Sequence, residues 1–133
     1  MPIRYAGVWL AVLVAVVAGP GIFAHHSVPG QFDVSQQVTL KGVISRIDWQ
    51  NPHIYVHLDV KDEGGAVTTW ALESLPTAMM RKAGLTKETV AGAAGEIVTI
   101  TGNPGRDSSR KTAWILRITY PDGHYFQLAN ERN

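Results

Sequence analysis

Residues 53–60, His-Ile-Tyr-Val-His-Leu-Asp-Val, alternate polar and apolar without a slip. A period of two is the signature of a half-buried strand and fits no helix. Ile54, Val56, Leu58 and Val60 fall on one face; His53, Tyr55, His57 and Asp59 fall on the other. The first face belongs in a core. The second gathers two imidazoles, a phenol and a carboxylate in one outward stripe.

The surrounding residues extend the β pattern. Val38 to Trp49 (VTLKGVISRIDW) reads as one long strand with apolar residues at 38 and 40, then at 43, 47 and 49. That phase slips near Gly42, where a glycine or bulge bends a strand. Gln50-Asn51-Pro52 is a tight connector, and Glu63-Gly64-Gly65 a hairpin turn into a third strand, VTTWALES. Pro76 opens a short helix, TAMMRKAG, that stops at Gly84. Residues 85–95 read as a loop with weak helical signals at Thr86 and Glu88-Thr89. A fourth strand begins at Glu96 (EIVTITG), and the loop NPGRDSSRK leads to a fifth, in which Trp114, Leu116, Ile118 and Tyr120 alternate inward. After Pro121-Asp122-Gly123 comes a short last strand, HYFQLA.

Three strands, a helix and two or three more strands predict an all-β fold: a small OB-fold-like Greek-key barrel of five to six strands, spanning 38–133. A β-sandwich would want about seven strands. Residues 25–37 (HHSVPGQFDVSQQ) are polar and turn-rich, and predict an irregular arm that packs through Phe32.

Ahead of the arm stand Arg4, an apolar run from Ala6 to Ala18, Gly19-Pro20-Gly21 and the small residue Ala24. The run falls short of the roughly 20 residues a membrane helix needs. Residues 1–24 therefore read as a cleaved signal peptide, with His25 and His26 opening the mature chain. The expected location is the periplasm or, beyond it, the secreted fraction, with no transmembrane anchor left after cleavage. Loss of Arg4 leaves 11 Lys and Arg against 11 Asp and Glu. A nucleic-acid binder shows a basic excess, so that partner class is set aside. The chain has no cysteine, which excludes disulfides and thiolate metal ligands.

AHHS at residues 24–27, Phe32-Asp33, the Trp49-Gln50-Asn51-Pro52-His53 connector, Trp70-Ala71-Leu72-Glu73 and the GEIVTITG strand together resemble an uncharacterised family of small exported bacterial proteins, a domain of unknown function. The resemblance spans the mature chain and implies export and a single domain, with no assigned activity, cofactor or catalytic residue. It also implies a Trp after Arg81-Lys82-Ala83-Gly84, where this chain has Leu85. More distantly, the chain is similar to periplasmic OB-fold proteins that bind ligands or stress-related partners.

Two candidate sites emerge. OB-folds bind ligands on the face of strands two and three, which selects His53, Tyr55 and His57, with Trp49 and Trp70 in reach, for an unknown small molecule or an oligosaccharide. A terminal amine with the Nδ1 of His25 forms a chelate, and His26, His53 or His57 completes a nitrogen site suited to copper, or to zinc. The plain alternatives are a solvated strand face and a polar start to the chain. Trp49, Trp70 and above all Trp114 also suit the core. Arg106, Arg110 and Lys111 sit in the loop before strand five. No serine elbow and no cysteine nucleophile is present, so catalysis is not expected; a His-start copper oxygenase is the remote enzymatic option. The reading is an exported, non-catalytic binding module, with metal binding at the N-terminal histidine, or an envelope adaptor docking a protein through a sheet edge, as alternatives.

Overall fold

The alternating segment becomes β2 (Tyr55–Lys61) in a computed structural model that describes residues 27–130. Two antiparallel neighbours flank it, β1 (Val38–Asp48) and β3 (Val67–Glu73). The second half of β1 pairs with β2 and its first half with β4 (Ile97–Pro104), so this long strand serves both sides of the barrel. β4 pairs antiparallel with β5 (Thr112–Thr119). The start of β5 then runs parallel to the end of β3, from Ala71–Thr112 to Glu73–Trp114, and closes five strands into a barrel. A sixth strand, β6 (Tyr125–Gln127), pairs with the far end of β5. This is the OB-fold-like, all-β barrel that the strand order predicts. No helix among the described residues is long and apolar enough to cross a membrane.

The core follows the alternation. Ile54, Val56 and Leu58 are fully buried and meet Leu72, Val98, Ile100, Ile115 and Ile118 inside the barrel. Two details differ from the sequence expectation, and both come from bulges. In β1 the register steps from Ile44–Leu58 to Arg46–His57, so the slip sits at Ser45 and not near Gly42. Ile44 thus keeps the inward phase expected of Val43, and packs on the core. Gly42 answers a different need, because a Cβ there would stand 2.2 Å from the carbonyl oxygen of Asp59 on the neighbouring strand.

In β5 the register steps from Arg117–Thr101 to Ile115–Gly102, which leaves Leu116 unpaired. An extra residue reverses the facing of everything beyond it. Ala113 and Ile115 enter the main core on one side of the bulge, Ile118 and Tyr120 on the other. The expected single inward row is therefore split: Trp114 and Leu116 are buried on the other face, under Phe32.

The arm is more regular than expected. Residues Val28–Gln31 make one helical turn, α1, with Pro29 in its first turn. Phe32 then packs as predicted: it is 4% exposed, with its ring 6.1 Å from that of Trp114. Backbone bonds from Asp33 to Pro104 (2.8 Å) and from Arg106 to Gln31 (2.9 Å) tie the arm to the barrel. Between β3 and β4 stand α2 (Thr77–Lys82) and α3 (Lys87–Ala91), the second where a loop was expected. Thr86 and Thr89 form a reciprocal capping box that satisfies the first turn of α3. Val90 on α3 and Leu85 just before it are buried in the main core, so leucine serves as core at position 85.

Candidate functional site

The outward row of β2 is positioned by the connector before it. Asn51-Pro52 is a cis peptide. Thr77 Oγ1 donates to Asn51 Oδ1 at 2.8 Å, and Arg81 donates to Thr77 Oγ1 at 3.1 Å. Ser74 N–H donates to the Ile54 carbonyl at 2.8 Å, and Ile54 N–H to that of Leu75 at 3.3 Å. The connector is thereby stitched to the chain leaving β3, and His53 is delivered to Glu73.

His53 Nδ1 bonds Glu73 Oε1, and its ring meets Trp114 edge-on at 5.8 Å. Glu73 is only 6% exposed, so its carboxylate depends on such partners. Tyr55 stands directly opposite Glu73 across the β2–β3 pair. Burial pushes the Tyr55 hydroxyl above its ordinary pKa, and the charge and hydrogen bond of Glu73 push the same way, while Arg110 opposes them.

His57 belongs to a different group. Its Nε2 lies 2.8 Å from Asp48 Oδ2 and 2.9 Å from the Arg46 guanidinium, which itself bridges to Asp48 at 3.0 Å. A nitrogen that donates to the carboxylate cannot also accept from arginine. The hydrogen bond from His57, with help from the charge of Arg46, holds the Asp48 carboxyl below its ordinary pKa. Asp59, next along the row, accepts from Thr69 Oγ1 at 2.6 Å. The stripe is thus divided: His53 and Tyr55 turn to Glu73 on β3, and His57 to Asp48 on β1.

Trp49 and Trp70 do not join it. Trp70 is paired across the strands with Leu58, which puts it on the core side, and Trp49, one residue past Asp48, follows the same parity. Both pack against the main core, with the Lys111 ammonium 5.6 Å above the Trp70 ring. His25 and His26 lie outside the described residues. Among the described residues no group of three or more His, Asp or Glu side chains converges as a metal cage would require; His53 and His57 each hold one carboxylate instead.

Beside Tyr55 and Glu73 opens a cavity of about 380 Å³. The arm supplies one wall through Gly30, Gln31 and Phe32, and the β4–β5 loop supplies another through Gly105, Arg106 and Arg110. Ala71 and Thr112 complete the lining along the β3–β5 seam. Arg106 clasps the two walls: its Nε donates to the Pro29 carbonyl at 2.9 Å. Asp107, at the rim, takes Ser109 N–H and Oγ on one carboxylate oxygen, and these bonds lower its pKa. Glu73 and the arm wall escape a motif search, yet one signal points to Glu73. Residues equidistant from Gly64 pair across the hairpin, which sets Tyr55 against Glu73 and His57 against Ala71.

A family model matches residues 12–114 of the chain. The chain belongs to the family of unknown function DUF6152. The DUF6152 match takes in the arm, the first four strands and the residues His53, Tyr55, Glu73, Arg106 and Arg110. It ends at Trp114, so most of β5 and all of β6 lie past it. No curated protein matches the chain.

Proposed function

We propose that this DUF6152 protein is an exported, non-catalytic binding module, and that its working site is the cavity between the arm, the β2–β3 face and the β4–β5 loop. The observation that carries the reading is the cavity's make-up. At about 380 Å³ it falls within the range of small-ligand sites, roughly 300–1,000 Å³. Apolar wall (Phe32, Ala71) alternates there with a few fixed polar groups (Tyr55, Glu73, Arg106), the composition that orients a small ligand. Its position is also the face an OB-fold uses for ligands. Export rests on the charged start, the short apolar run and the small residue Ala24.

The test is a titration of the signal-cleaved, isotope-labelled protein with a fixed set of probes: glucose, succinate and alanyl-alanine, followed by amide NMR shifts. The expected result is a set of shifts confined to Gln31, Tyr55, Ala71, Gly105, Arg106 and Arg110 for at least one probe. Shifts that cluster elsewhere, or none with any probe at millimolar concentration, overturn the reading.

A further inference from the structure

We propose that the cavity takes a small zwitterion, with Glu73 receiving its ammonium group and Arg110 with Arg106 receiving its carboxylate. The proposal rests on the cavity being the binding site, and it names the ligand class. The two charges are set at different depths. Glu73 is 6% exposed at the floor, whereas Arg110 is exposed at the mouth. A carboxylate offers about four acceptor positions. His53 Nδ1 takes one, which leaves acceptor capacity on a group that lines the cavity beside Tyr55.

At the mouth, the Arg110 side chain makes no hydrogen bond or ion pair among the described residues. Arg106 uses Nε on the Pro29 carbonyl, so its guanidinium is held on the wall, and its terminal nitrogens make no hydrogen bond among the described residues. Asp107, at the rim, accepts Ser109 N–H and Oγ within its own turn, and the charge of Arg110 reaches it without a direct ion pair among the described residues. Between the two charged ends, Phe32 and Ala71 offer apolar wall for a short side chain. A negative floor, a positive mouth and an apolar middle select a ligand that is cationic at one end and anionic at the other, such as a dipeptide.

Calorimetric titration of the signal-cleaved protein with alanyl-alanine, its N-acetyl form and its C-terminal amide tests this. The free dipeptide should bind, and each blocked form should bind about tenfold more weakly, the loss expected for one charge-assisted hydrogen bond. Arg110→Ala should weaken the dipeptide and the acetylated form and leave the amide unchanged. Glu73→Gln should do the converse; should it fail to fold, the surface variant Arg110→Ala still decides. Equal affinity for the free and either blocked form overturns the zwitterion. Glucose or succinate shifting the cavity amides while the dipeptide does not also overturns it, and leaves the cavity as a binding site. If no probe reaches the cavity, both readings fall.

Discussion

Single side chains carry distinct and measurable loads in this barrel. Gly42 lies hard against the backbone of β2, and a methyl group there meets the Asp59 carbonyl, which cannot swing aside. Gly42→Ala should therefore destabilise the fold by about 1–3 kcal/mol, the usual scale of overpacking, as measured by urea unfolding. Tyr120 is 2% exposed and donates to the Val90 carbonyl at 2.6 Å. Burial, with the charge of Glu96 second, pushes its hydroxyl up from 10.0 to about 12. The stability linked to this proton is fully present below pH 10 and lost as pH rises toward 12. Tyr120→Phe should flatten that alkaline decline in urea midpoints, at a loss of about 1 kcal/mol near neutral pH for the missing hydrogen bond. An unchanged alkaline slope would refute this assignment. Ser74 Oγ and Thr101 Oγ1 are buried with no hydrogen-bond partner among the described residues.

At the scale of elements, two segments outside the barrel's strands bear on its stability. The arm joins through Phe32, a few backbone bonds and the side chains of Arg106 and Asn103, and Phe32→Ala should cost about 3 kcal/mol, the value of a buried phenylalanine. A loss below about 1 kcal/mol would mean that the arm is an accessory and not a wall of the cavity. The short α3 depends on its capping box, and Thr86→Ala should cost about 1 kcal/mol and speed hydrogen exchange at Thr89 and Val90. Much of this was legible from the chain itself. The period of two in β2 is a local property, and it placed His53, Tyr55 and His57 on one face correctly. The β1 slip was legible as a change of phase but not in its place, and the β5 bulge was not legible at all, because a bulge is defined by its partner strand: Ser45 is extra only against β2, and Leu116 only against β4. The same dependence hid the split of the histidines. His53 and His57 share a face, but their carboxylates arrive from opposite neighbours, Glu73 on β3 and Asp48 on β1. Trp49 and Trp70 were expected within reach of the stripe, with the core as the alternative their residue type suits, and the structure packs both against the core.

For the molecule as a whole, barrel closure is the step that creates the site. Parallel pairing of β3 with β5 brings the β4–β5 loop beside Tyr55 and Glu73, and the arm adds a further wall. Strand order alone predicted the barrel, since few topologies accommodate three strands, helix and two more. The cavity could not be predicted, because it needs three segments distant in sequence to meet. On the export reading, intact mass of the protein from its host's periplasm should begin at His25; the full 133-residue chain in the cytosol would contradict it.

The claim on which the account turns is that the cavity holds a small ligand. Native mass spectrometry of the protein taken directly from the periplasm, wild type beside Arg110→Ala, addresses it without choosing a probe. A low-mass adduct on the wild type that the folded variant lacks is the predicted outcome. Bare protein in both, or the same adduct in both, would contradict it.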